Sequence, residues 1–144
     1  MRFLATSLAL CGALFLTTKA NAQSAVSAGL DAQHRGDYAA AATLYQQACT
    51  DGDTRGCTGL GILFEEGRGG TKDETRAAEL FQQACTGGDE AGCFGVGLFY
   101  EHGRGVAKDT ARALQLYRQA LTLNHDPAFA KTIQDSINDL SATQ

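Results

Sequence analysis

Four cysteines form two equal pairs in this chain: Cys49 with Cys57, and Cys85 with Cys93. Paired cysteines can bridge, hold a metal or exchange electrons. No Cys-x-x-Cys redox motif occurs, the spacing is not that of zinc ligands, and no histidine repeats in register with the pairs. Structural disulfides are the expectation, with no metal and no cofactor. A fifth cysteine, Cys11, lies in the apolar amino-terminal stretch.

The other reactive side chains form no constellation. Ser24, Ser27, Ser136 and Ser141 lie toward the ends, and none has a lysine three residues on, as a Ser-x-x-Lys nucleophile requires. His34, His102 and His125 are scattered and read as surface residues. Glu65, Glu66 and Glu101 lie near Arg68 and Arg104. They read either as an anion or paired-carboxylate site or, more simply, as a solvated loop edge. Gly67-Arg68-Gly69 and Gly103-Arg104-Gly105 follow helices and lack the Gly-Lys-Ser/Thr ending of a phosphate loop. No catalytic residue is assigned.

The elements that position the cysteines repeat. Residues 49–84 and 85–120 match at 19 of 36 positions without a gap. A period in the thirties marks stacked helical hairpins. Ala41, Leu44, Tyr45 and Ala48 form one helical apolar stripe. It returns as Ala77, Leu80, Phe81 and Ala84, then as Ala113, Leu116, Tyr117 and Ala120. Asp37, Asp73 and Asp109 are candidate N-caps of these helices. The alternate helices start near Asp53 and Asp89 and carry Gly61 and Gly97 for close packing. A first helix is expected over Ser24–Arg35. A last one is expected after Asp126-Pro127, with Phe129, Ile133, Ile137 and Leu140 as its stripe. The fold class is all-α: a solenoid of antiparallel helix pairs, about three repeats (24–50, 51–86, 87–123) and a capping helix over 126–140.

Each cysteine pair spans one corner between helices, which can bring the Cα atoms within the disulfide range of about 4.4–6.8 Å. Equivalent helices of neighbouring repeats lie about 10 Å apart. Of three connectivities, Cys49–Cys57 and Cys85–Cys93 are therefore expected. Each closes a short loop, contributing roughly 2–3 kcal/mol on the loop-entropy model.

Residues 1–22 read as an export signal: Met1-Arg2, an apolar run from Phe3 to Leu16, and Ala20-Asn21-Ala22 before the cleavage point. Leu8-Ala9-Leu10-Cys11 resembles a lipid-attachment motif, but Leu10 is too large and apolar sequence continues beyond it. Cleavage near Ala22 and a periplasmic or secreted location are expected, with no stable membrane insertion. Losing Arg2 and Lys19 leaves 10 basic and 16 acidic residues, a net charge of −6. Such a surface repels nucleic acid.

The repeated Ala-Cys, Gly-Cys, Gly-x-Gly, Lys-Asp and Gln-Ala elements over residues 37–123 resemble the Sel-one-like repeat, a relative of the tetratricopeptide repeat. The cysteine spacing resembles its disulfide-rich branch, the Helicobacter cysteine-rich proteins. Departures are Gly70 in place of a valine, Leu121 and Phe129 where a third cysteine pair would fall, and the short turn Arg35-Gly36-Asp37. The resemblance implies a right-handed superhelix with a concave inner face, and an adaptor holding a protein or peptide. It also implies an alternative, a penicillin-binding protein with weak β-lactamase activity. Phe94, Tyr100 and Phe64 are the candidate partner-binding residues. Phe94 is the first choice for an exposed contact, because Thr58 stands at its place in the preceding repeat.

Overall fold

A computed structural model describes the backbone of residues 8–143 and the side chains of residues 20–143. The Met1-Arg2 start of the expected signal and the Cys11 side chain lie outside the described residues. Seven helices and no strand occur among those described: α1 (Leu8–His34), α2 (Tyr38–Thr50), α3 (Thr54–Glu66), α4 (Glu74–Thr86), α5 (Glu90–His102), α6 (Thr110–Leu123) and α7 (Pro127–Ala142). No described helix is long and apolar enough to cross a membrane.

Six of the helices start on an aspartate. Asp37, Asp53, Asp73, Asp89, Asp109 and Asp126 each accept a hydrogen bond from a backbone N–H in the first turn that follows. Each satisfies a donor that the helix itself leaves unpaired, a contribution of about 1 kcal/mol. In α7 Pro127 takes the first position, where its missing N–H costs nothing.

α1 differs from the helix expected over Ser24–Arg35. It begins at Leu8 and runs unbroken through Ala22. The stretch is rich in leucine and alanine and has no proline. Gly12 and Gly29 cost only about 1 kcal/mol each against alanine. α7 ends two residues beyond the expected Leu140.

Each helix packs on its neighbours in sequence, and the connections are short, so successive helices are antiparallel. α1 also meets α3, and α3 meets α5. α1, α3 and α5 thus form one layer of the α/α superhelix.

Tyr45, Phe81 and Tyr117 repeat every 36 residues and are all buried. Glycines make room for them. A β-carbon on Gly61 would stand 2.9 Å from the Phe81 ring, and one on Gly97 2.6 Å from the Tyr117 ring. The close approach expected of these glycines is therefore to an aromatic ring. Gly29 receives Tyr45 in the same way, with its own β-carbon placed 2.6 Å away.

Candidate functional site

At the two corners, Gly52 and Gly88 hold φ of 92° and 94°, a backbone region that disfavours residues with a β-carbon. Asp53 and Asp89 then donate their N–H groups back to the Ala48 and Ala84 carbonyls. The helices that follow come in very close. A β-carbon on Gly56 would stand 2.6 Å from Ala48 Cβ and 2.7 Å from Cys49 N. One on Gly92 would stand 2.6 Å from Ala84 Cβ and 2.9 Å from Cys85 N. This approach sets Cys49 and Cys57 at a Cα separation of 4.7 Å, and Cys85 and Cys93 at 4.3 Å. Each pair is bonded within its corner. All four cysteines are buried. A glycine immediately before the second cysteine of each pair is the sequence signal for this contact.

The loop arginines clamp repeats together. Arg104 donates to Glu65 at 2.7 Å and to Glu74 at 2.9 and 3.0 Å, and its guanidinium lies 4.6 Å from the centre of the Phe99 ring. The bond from Arg104 holds the Glu74 carboxyl below the usual carboxylate range, with Lys72 adding to the effect. Arg68 pairs with Glu66 at 2.9 Å and donates to Tyr38 Oη at 3.1 Å. Of the five charged side chains of these loops, Glu65, Glu66, Arg68 and Arg104 thus pair within the chain, Glu66 with Arg68 as an exposed pair. Glu101 accepts a short hydrogen bond from Tyr117 Oη. Burial, and then that bond, push the Tyr117 phenol far above its ordinary value. Glu65 is the equivalent residue one repeat earlier. Phe81, at the place of Tyr117 one repeat earlier, has no hydroxyl, and Glu65 accepts from Arg104 instead.

The remaining polar candidates are also local. Ser136 and Ser141 donate to carbonyls one helical turn back, Thr132 and Ile137. His102 Nδ1 lies 3.0 Å from the Leu98 carbonyl.

The three candidate aromatics separate. Phe94 is not the exposed contact expected of it. It is half-buried, with its ring centre 5.3 Å from that of Tyr117 and 5.4 Å from that of Phe129. It fastens α5 to α6 and α7. Thr58, its counterpart, instead donates to Asp89 at 2.6 Å. Phe64 and Tyr100 line hollows at equivalent positions of successive repeats. The first is bounded by Ala42, Leu60, Phe64 and Gly69, and the second by Ala78, Val96, Tyr100 and Gly105. Their volumes are about 40 and 270 Å³. The lining residues place them between α2 or α4 and the loop into the next even-numbered helix.

This architecture defines a disulfide-bridged α/α repeat protein. Three consecutive Sel1 repeats match at residues 18–53, 54–89 and 91–125, and the chain belongs to the Sel1 repeat family. Among curated proteins it is similar to HcpE of Helicobacter pylori, which is named as a candidate beta-lactamase. They are 46% identical over 41 residues, 28% of this chain and 12% of HcpE. Among solved structures it is similar to c5321, a protective antigen of uropathogenic Escherichia coli with an SLR fold. The TM-score is 0.77 at 20% identity, covering all of this chain and 31% of c5321. It is also similar to cysteine rich protein B of Helicobacter pylori, with a TM-score of 0.59 at 23% identity over 76% of this chain and 93% of that protein. At these identities the structural likeness is one of fold.

Proposed function

We propose that this chain is an exported adaptor that holds a protein or peptide partner on a rigid, disulfide-stapled surface. The observation that carries the reading is the hollow of about 270 Å³ beside Tyr100, on a stack whose corners are covalently locked. No serine, cysteine or histidine is among the residues lining it, so it offers shape and apolar surface rather than such a reactive group. The chemistry suits a peptide or a protein segment.

Export to the periplasm or beyond, with cleavage near Ala22, belongs to the same proposal. Gln23 to His34 would remain as the first helix. Ala25, Val26 and Ala32 are buried in the fold, and Gly29 receives the Tyr45 ring, so that remnant keeps its packing on α2. An oxidising compartment lets the two bridges form and persist.

Affinity capture from an envelope extract tests the reading. The oxidised protein is expected to recover a partner that the reduced protein and a Tyr100→Ala variant do not. Recovery of the same proteins by all three would overturn it.

A second reading, β-lactam binding with weak hydrolysis, is favoured by the 41-residue similarity to HcpE. A chromogenic cephalosporin separates the two. Turnover that co-purifies with the oxidised monomer and vanishes on unfolding would favour hydrolysis, and its absence favours the adaptor.

A further inference from the structure

Two loops of this chain carry nearly the same residues. Residues 67–73, between α3 and α4, and residues 103–109, between α5 and α6, both read Gly-Arg-Gly-x-x-Lys-Asp. They differ at Gly70 against Val106 and at Thr71 against Ala107. In the second loop residues 104–106 are half-buried, and Val106 packs against the core. Arg104 is tied to Glu65 and Glu74. In the first loop residues 68–73 are exposed without a break. No atom lies within 4 Å of a β-carbon placed on Gly70. The Arg68 side chain is 47% exposed, against 33% for Arg104. Its carboxylate partner Glu66 is exposed too, and such a pair contributes little.

In neither loop do the four amides after the arginine donate to a backbone carbonyl among the described residues. The Val106 packing and the Arg104 clamp are therefore what separate them. The other basic residues of 20–143 lie within helices or in the Arg35 turn. There Arg35, Gly36 and Asp37 each donate back to α1. An endopeptidase needs several residues lifted free of the fold, and exposed loop tips with small residues give them up most readily.

Neither disulfide crosses the first loop: Cys49–Cys57 precedes it and Cys85–Cys93 follows it. Noncovalent contacts do cross it. Leu80 and Ala84 share a buried cluster with Tyr45, Leu60 and Leu63. Thr58 donates to Asp89 at 2.6 Å, and Arg104 to Glu65 at 2.7 Å.

We propose that the loop between α3 and α4 is a cleavage site for a trypsin-like endopeptidase, and that the cut chain stays assembled. Water adds across the Arg68–Gly69 or the Lys72–Asp73 bond. It leaves a carboxylate on the basic residue and an ammonium on the residue after it. This inference stands apart from the adaptor reading.

The test is brief digestion of the oxidised full chain with trypsin, followed by denaturing, non-reducing mass measurement. The first cut within residues 20–143 is expected after Arg68 or Lys72. It should run about tenfold faster than any cut after Arg104 or Lys108, because the second loop must first release its packing. The two fragments should co-elute in native gel filtration and separate in urea without a reductant. Gly70→Val, which copies the second loop into open space, should slow the cut severalfold, as glycine's backbone freedom is lost. Val106→Gly should expose the second loop to cutting at a comparable rate. Gly70→Val decides the matter if Val106→Gly does not fold. A first cut elsewhere in that span, equal rates in the two loops, or a Gly70→Val protein cut as fast as its parent would overturn the proposed site. Fragments that part in native gel filtration would overturn the retained assembly.

Discussion

Gly56 lies against the backbone of Cys49: a β-carbon at residue 56 would stand 2.7 Å from the Cys49 amide nitrogen. That contact lets α3 pack close enough to α2 for the bridge between Cys49 and Cys57. Gly92 bears the same relation to Cys85.

Gly56→Ala should therefore strain a backbone contact that cannot yield. An overpacked site costs about 1–3 kcal/mol, against less than 1 kcal/mol that alanine returns as a better helix former. The urea midpoint should fall with the slope unchanged. Gly70→Ala is the control: no atom lies within 4 Å of a β-carbon there, and it should leave the midpoint almost where it was.

The Tyr117 phenol gives a pH test. Its folded pKa is raised above the unfolded value of about 10. Its contribution to stability is thus complete below that value and declines as pH rises from there toward the folded pKa. Urea midpoints should hold between pH 8 and 9 and drop between pH 10 and 11. In Tyr117→Phe the drop should be smaller, and the midpoint at pH 8 lower by the worth of one hydrogen bond, about 1 kcal/mol. Tyr45, also raised by burial, accounts for part of the residual slope.

Phe94 holds the carboxy-terminal helix, so Phe94→Ala should loosen α7 before anything else. The ring is half-buried and joined to Tyr117 and Phe129. A loss of about 2 kcal/mol is expected, below the range for a fully buried phenylalanine. Hydrogen exchange should speed up in Ile133, Ile137 and their neighbours while α3 keeps its protection.

Much of this fold was legible because its signals are local or periodic. An aspartate before an apolar stripe caps a helix wherever it occurs, and Asp37, Asp73 and Asp109 do so at a constant interval. Contacts set by a change of register were not legible. Phe94 looked free because Thr58 replaces it one repeat earlier. Its ring partner Phe129 lies on a helix whose cap comes one residue late. Glu65 and Glu101 look equivalent in sequence but take different partners, Arg104 and the Tyr117 hydroxyl, the latter absent from Phe81 at the equivalent position. Of the three aromatic candidates, Phe64 and Tyr100 line hollows beside the even-numbered helices.

Non-reducing peptide mapping of the exported, purified protein tests the locked corners most directly. The architecture predicts two bridges, Cys49 to Cys57 and Cys85 to Cys93, with no free thiol among the four. Free thiols at these positions, or a bridge from one corner to the other, would contradict it.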